Sequence, residues 1–198
     1  LSRVESEGVP LRSEAFDAKS MIRNLLDGTR LAAERKDVAL IYRDDPLAPP
    51  GTFRTDQRSL AVILGNLIDN ALKFTDKGTV TVTAGKSGGM LRISVEDTGR
   101  GMSEEQTRRA FEHFGRLETG RGDQDSGIGL GLPIARRLTE SMGGRLWADT
   151  LPGKGSRFKI EGQQTCKGYT EGKDEREQNR STKTLPHCIG SQDTCTHD

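Results

Sequence analysis

The chain has 198 residues, 30 of them basic and 29 acidic, and a net charge of +1. That balance supplies neither a nucleic-acid surface nor a groove for acidic substrates. The hydrophobic class makes up 32%. Adding glycine brings it to about 44%, just under the roughly 45–50% of globular chains on that count, so part of the chain folds around a core and part does not. The longest apolar run, Leu60 to Leu64, is far too short for a bilayer span. The opening Leu1-Ser2-Arg3-Val4-Glu5 lacks the basic-then-apolar layout of a signal peptide.

In chain order, Asp17 is placed to cap a helix over 18–35, with Ile22, Leu25, Leu26, Ala32 and Ala33 on its buried side. Val38 to Tyr42 reads as a strand, followed by a turn-rich connection at Asp44-Asp45-Pro46 and Pro49-Pro50-Gly51. A short strand at Phe53 to Thr55 leads to Asp56, which caps a long helix ending near Phe74. Strands over 79–84 and 91–95 flank Ser87-Gly88-Gly89 and predict an antiparallel hairpin. A helix over 131–142 stops at Gly143-Gly144, and strands over 145–150 and 157–161 flank the turn Pro152-Gly153-Lys154-Gly155. Helices alternating with hairpins in this way predict a two-layer α/β sandwich: a mixed, mostly antiparallel sheet covered on one face by helices.

The last stretch differs. From Gly162 to Asp198 only six residues are hydrophobic, and a charge run without period fills the middle. Such a segment cannot bury enough apolar surface to offset its ordering entropy, so residues 162–198 are expected to form a disordered polar tail. Cys166, Cys188 and Cys195 all lie in it. An odd count at a polar end argues against a disulfide framework, and with no cysteine elsewhere the rest of the chain reads as intracellular. His187 and His197 share the tail, but no metal-ligand spacing joins them to the cysteines.

Three segments carry chemistry. On the helix after Asp56, Leu60, Ile63, Leu64, Leu67, Ile68, Ala71 and Leu72 form an apolar arc, and Asn66, Asn70 and Lys73 share a neighbouring stripe. Taken alone, that stripe suits solvent as well as a ligand. Its functional reading gives Asn70 a neutral oxygen for hydrated Mg²⁺ and Lys73 a charge for phosphates, since Mg²⁺ keeps several waters and accepts sparse oxygen ligation. In the second segment, Asp97 ends a strand and the glycines at 99 and 101 follow directly. Its carboxylate can accept from an exocyclic amine while the glycines let backbone approach a ligand. The third, Gly127-Ile128-Gly129-Leu130-Gly131-Leu132, feeds a helix N-terminus and offers backbone N–H groups to phosphate. It matches neither the dinucleotide fingerprint nor a Walker loop.

Together and in order, Asn-Leu-Ile-Asp-Asn-Ala-Leu-Lys-Phe-Thr at 66–75, Asp-Thr-Gly-Arg-Gly-Met at 97–102, Phe-Glu-His-Phe-Gly-Arg at 111–116 and Gly-Ile-Gly-Leu-Gly-Leu at 127–132 closely resemble the N box, first glycine box, F box and second glycine box of sensor histidine kinases. The resemblance runs from about Ala15 to Glu161. It implies their ATP-binding catalytic domain, in the Bergerat fold shared with the chaperone, gyrase and mismatch-repair ATPases, with a mobile lid over ATP. It assigns Mg²⁺ to Asn70, phosphate contacts to Asn66 and Lys73, the adenine amine to Asp97 and a γ-phosphate contact to Arg116. The implied nucleotide contacts further include Phe74, Gly99, Gly101, Met102, Phe114, Gly127, Ile128, Gly129, Leu130, Gly131, Leu132 and Ser156. Two departures are small: Ile128 replaces the commoner small hydroxyl residue, and Gly65 weakens its helix by up to about 1 kcal/mol against Ala.

Hydrolysing relatives carry a Glu one turn before the metal-binding Asn. Here that position is Asn66, which cannot act as a general base near neutral pH. The resemblance therefore implies transfer of the γ-phosphate of Mg-ATP to a histidine on a dimerisation hairpin of the same kinase, then to a response-regulator receiver domain. None of His113, His187 and His197 has the acceptor context. Residues 1–14 resemble the end of that hairpin and its linker, and 15–161 the catalytic domain. A homodimeric full-length protein and a cytoplasmic setting are expected, with an upstream sensor or membrane region left open and no nucleic-acid partner. Two alternatives stand beside this reading: a nucleotide-dependent binding module that transfers nothing, and an ATPase of the same fold.

Overall fold

Two aspartates fix the starts of the long helices. Asp17 accepts a hydrogen bond from the Ser20 N–H at 2.9 Å and opens α1 (Ala18–Glu34), which follows directly on the short strand β1 (Glu14–Asp17). Asp56 does the same for α2 (Gln57–Phe74), accepting from the Ser59 N–H at 3.0 Å. Its second oxygen takes the Arg12 N–H at 3.1 Å, so this buried cap also ties down the segment before β1. Asp56→Ala removes both contacts and is expected to cost about 1–2 kcal/mol, read as a lower urea midpoint with an unchanged slope.

The computed structural model describes residues 11–112 and 130–164. The chain divides into two units, Leu1–Lys167 and Gly168–Asp198; the second lies outside the described residues, as does the rest of the polar tail from residue 165. Between the helices run β2 (Val38–Asp44) and β3 (Thr52–Thr55), and after α2 come β4 (Gly78–Ser87), β5 (Met90–Asp97) and the short helix α3 (Glu104–Ala110). The described part closes with α4 (Gly131–Ser141), β6 (Arg145–Leu151) and β7 (Gly155–Gln164).

A five-stranded sheet in the order β2-β4-β5-β7-β6 forms one layer. Only the β2–β4 pair is parallel, and every other neighbour is antiparallel, which gives the mixed, mostly antiparallel sheet expected. Alternation decides its faces. Val80, Val82, Ala84, Leu91, Ile93, Val95, Phe158 and Ile160 are buried, and the residues alternating with them, Gly85 apart, are exposed or half-buried. Helices α1, α2 and α4 pack on the buried side, where α2 contributes Leu60, Ile63, Leu64, Leu67 and Ile68 with no exposed surface. On the other face Arg157 pairs with Glu96, and Arg92 with Glu161, across strands. Such exposed pairs add little to stability. They mark the face turned to solvent.

Two elements go beyond what the sequence pattern predicts. The first, β1, has a single buried residue, Phe16, and exists by pairing with β3, where Phe16 lies opposite the fully buried Phe53. A four-residue strand with one inward side chain leaves no period to read. The second, α3, buries only Ala110 and is held at its start by a capping box of Ser103 and Gln106. In addition, β7 runs three residues past its expected end at Glu161.

Candidate nucleotide site

The end of α2 and the loop after β5 meet at a backbone contact. The Arg100 N–H donates to the Phe74 carbonyl at 3.3 Å, and the Arg100 guanidinium lies 4.6 Å from the centre of the Phe74 ring. Lys73 Nζ is 5.4 Å from the same ring. The Asn66 amide on α2 donates to the Val62 carbonyl at 2.8 Å, which fixes its orientation one turn before Asn70. The last carbonyls of α2 are not left open: Lys36 Nζ donates to Leu72 O at 2.8 Å and Lys73 O at 3.1 Å.

The helix after the second glycine segment reaches the same stretch of α2. Its first residue, Gly131, lies so close that a Cβ there would be 2.8 Å from Asn66 Oδ1 and 3.7 Å from Asn70 Nδ2. That closeness places the N-terminus of α4 beside both amides, and a side chain at 131 would have to push the Asn66 amide aside. Leu132 and Met102 are buried, and Leu130 is half-buried.

Asp97, buried at the end of β5, supplies the polar centre. Its Oδ1 accepts the Gly99 N–H at 2.9 Å and the Ser156 N–H at 3.3 Å, whereas Oδ2 has no partner among the described residues. Burial pushes the Asp97 carboxyl up, opposed by these two N–H donors. The loop beyond is clamped by Gly101, whose φ of +63° and Cβ position 2.0 Å from the Leu151 carbonyl exclude any side chain. The Met102 N–H donates to Thr150 Oγ1 at 2.9 Å.

The structure thus brings together Asn66, Asn70 and Gly131, joins Phe74 to the Gly99–Gly101 loop, and joins Asp97 to Ser156. Phe114, Arg116, Gly127, Ile128 and Gly129 lie outside the described residues. Thr150 escaped the sequence reading, although its place across the turn from Ser156 gave a cue in the form of two hydroxyl residues flanking one hairpin. A separate groove of about 460 Å³ lies between α1 and β2, lined by Arg23, Leu26, Arg30, Leu40 and Tyr42 among others. It contains none of these residues, and the convergent polar groups mark the loop cluster instead. The arrangement can present a carboxylate oxygen to an amine at one end and helix N–H groups and amides to anionic oxygens at the other.

Residues 55–164, more than half of the chain, match the family described as histidine kinase-, DNA gyrase B-, and HSP90-like ATPase. Sensor protein GacS of Pseudomonas syringae pv. syringae is 38% identical over 167 residues, covering 80% of this chain and 18% of that protein. Aerobic respiration control sensor protein ArcB of Escherichia coli (strain K12) is 34% identical over 163 residues, covering 81% and 21%. The chain therefore spans about a fifth of the length of these curated relatives. Among solved structures, full-length ShkA in complex with AMPPNP is 31% identical with a TM-score of 0.68, covering 79% of this chain and 32% of that one. The nucleotide-free catalytic domain of histidine kinase ThkA is 23% identical with a TM-score of 0.66, covering 78% of this chain and 97% of that one, and speaks for the fold alone.

Proposed function

Since the chain belongs to the histidine kinase-, DNA gyrase B-, and HSP90-like ATPase family and carries the ATP-binding catalytic domain of a sensor histidine kinase, we propose that it donates the γ-phosphate of Mg-ATP to a histidine on a dimerisation hairpin. The phosphate then passes to a response-regulator receiver domain. The observation that carries this reading is the meeting of Gly131 with Asn66 and Asn70, with an amide at position 66 in place of a carboxylate. An amide can orient phosphates but cannot take a proton from water near neutral pH. Catalysis is then a matter of positioning and charge neutralisation.

In this reading the exocyclic amine of adenine meets Asp97 Oδ2, and Phe74, Met102 and Leu132 supply apolar surface to the base. Asn66, Lys73 and the N-terminus of α4 face the phosphates, with Arg116 at the γ-phosphate. Asn70 would hold Mg²⁺ through its side-chain carbonyl. The donor set fits such an ion: Asn70 offers a half-buried neutral amide next to the first residue of α4. A single neutral oxygen suits a cation that keeps waters and takes phosphate oxygens as its other ligands. Held by Asn70, such an ion would supply charge neutralisation beside Lys73. Residues 15–161, with the end of β7 at Gln164, form the catalytic unit, 1–14 the approach from the hairpin and the residues after β7 a polar tail, in a homodimeric cytoplasmic assembly. No helix among the described residues is long and apolar enough to cross a membrane.

The test is a labelling experiment. With γ-labelled ATP and a separately supplied cognate hairpin, label is expected on the hairpin as acid-labile phosphohistidine, and none on this chain alone. Robust hydrolysis without transfer to any hairpin would promote the ATPase reading.

A further inference from the structure

Three residues lie in one row across the end of the sheet. Asp97 on β5 is the register partner of Ser156 on β7, and Ser156 is in turn the partner of Thr150 on β6. Directly opposed side chains of this kind are about 4.5–5.5 Å apart at Cβ and interact. Ser156 Oγ and Thr150 Oγ1 are 3.0 Å apart, and geometry alone allows either to donate. Thr150 Oγ1 accepts the Met102 N–H at 2.9 Å, and its own proton can reach either Ser156 Oγ or the Gly155 carbonyl, 3.1 Å away.

The choice of proton direction has a consequence. A hydroxyl has one proton and two acceptor lone pairs. If Thr150 donates to Gly155 O, Ser156 spends its proton on Thr150 and shows only lone pairs to its surroundings. If Thr150 donates to Ser156, a polarised chain runs from Met102 N–H through Thr150 to Ser156, whose proton is left to point outward, and each bond strengthens the next. Beside it, Asp97 Oδ2 is an open acceptor because Oδ1 holds both backbone donors. An acceptor next to a donor complements the amine and ring nitrogen N1 of adenine. An acceptor next to lone pairs does not.

We infer that Thr150 is a positioning residue for adenine selection, relaying the Met102 N–H through Ser156 so that the Ser156 hydroxyl donates to N1 of the base. This rests on the placement of adenine at Asp97, and the two ideas fail differently. The probe is 1-deaza-ADP, which keeps the amine and replaces N1 by a C–H, compared with ADP by calorimetry. The full chain should bind ADP about tenfold more tightly than the analogue. Thr150→Val keeps the shape but removes the relay, and should shrink that preference to about twofold, while Thr150→Ser restores it. Thr150→Ala repeats the test should the valine variant fail to fold. In a Ser156→Ala background, Thr150→Val should leave the remaining preference unchanged. A merely structural role would weaken both ligands alike and keep their ratio. An unchanged ratio in the valine or alanine variant, or none in the starting protein, overturns the relay. Loss of the adenine placement itself would show separately, as an Asp97→Asn variant that binds ADP undiminished.

Discussion

Asn70→Ala is expected to lower phosphoryl transfer to the hairpin by about 10³-fold or more, the scale found when a preorganised charge-stabilising contact at a reacting phosphate is removed. The loss should be specific. Asn70 is half-buried on the polar edge of α2, outside the apolar arc that packs on the sheet, and alanine is the better helix former. The variant should therefore melt at or above the temperature of the parent. ADP affinity measured without divalent ions should hold, because Asp97 and the base pocket are untouched, whereas the gain in affinity on adding Mg²⁺ should vanish. Titrating ADP with and without Mg²⁺ separates the two. A variant that keeps the Mg²⁺-dependent gain would remove Asn70 from the metal.

Much of this is legible in the sequence because each motif is local and most elements carry their own cap or period. Asp17 and Asp56 cap helices whose apolar arcs follow at the right period, and the β4–β5 hairpin has its two-glycine turn at Gly88-Gly89. Asn66 and Asn70 share an edge because they are four apart on one helix. What stayed hidden depends on partners far along the chain. β1 is a strand only because β3 lies beside it, and no periodicity in four residues could reveal that. Lys36, 36 residues before the Leu72 carbonyl it caps, reads in the sequence as one more surface charge. The closeness of Gly131 to Asn66 is likewise tertiary: glycine in the motif signals that something must come near, but not what. Thr150 belongs to the same class, since its bond to Met102 spans 48 residues.

Asp97→Asn separates folding from binding, and the two effects should have opposite signs. Burial raises the Asp97 carboxyl above its ordinary range, so the folded protein holds a proton there that the unfolded chain has already released. Between the ordinary and the raised value the native state binds more protons. This group's effect on stability therefore worsens as pH rises through that window, and the penalty persists above it. Asparagine carries no charge, so the unliganded variant should melt higher than the parent at pH 7–8 and the gap should close toward pH 4. Its carbonyl can stay on the Gly99 and Ser156 N–H groups, which turns the amide NH₂ toward the place of Oδ2. There it meets the exocyclic amine of adenine donor to donor. Losing a hydrogen bond to a charged acceptor costs about 1.5–3 kcal/mol, and ADP affinity should drop about 100-fold. Thermal melts with and without ADP read both effects at once: a higher baseline and a nucleotide-induced shift that has nearly disappeared. A lower baseline would mean that the Asp97 charge is compensated in the unliganded fold, and an undiminished shift would move adenine away from Asp97.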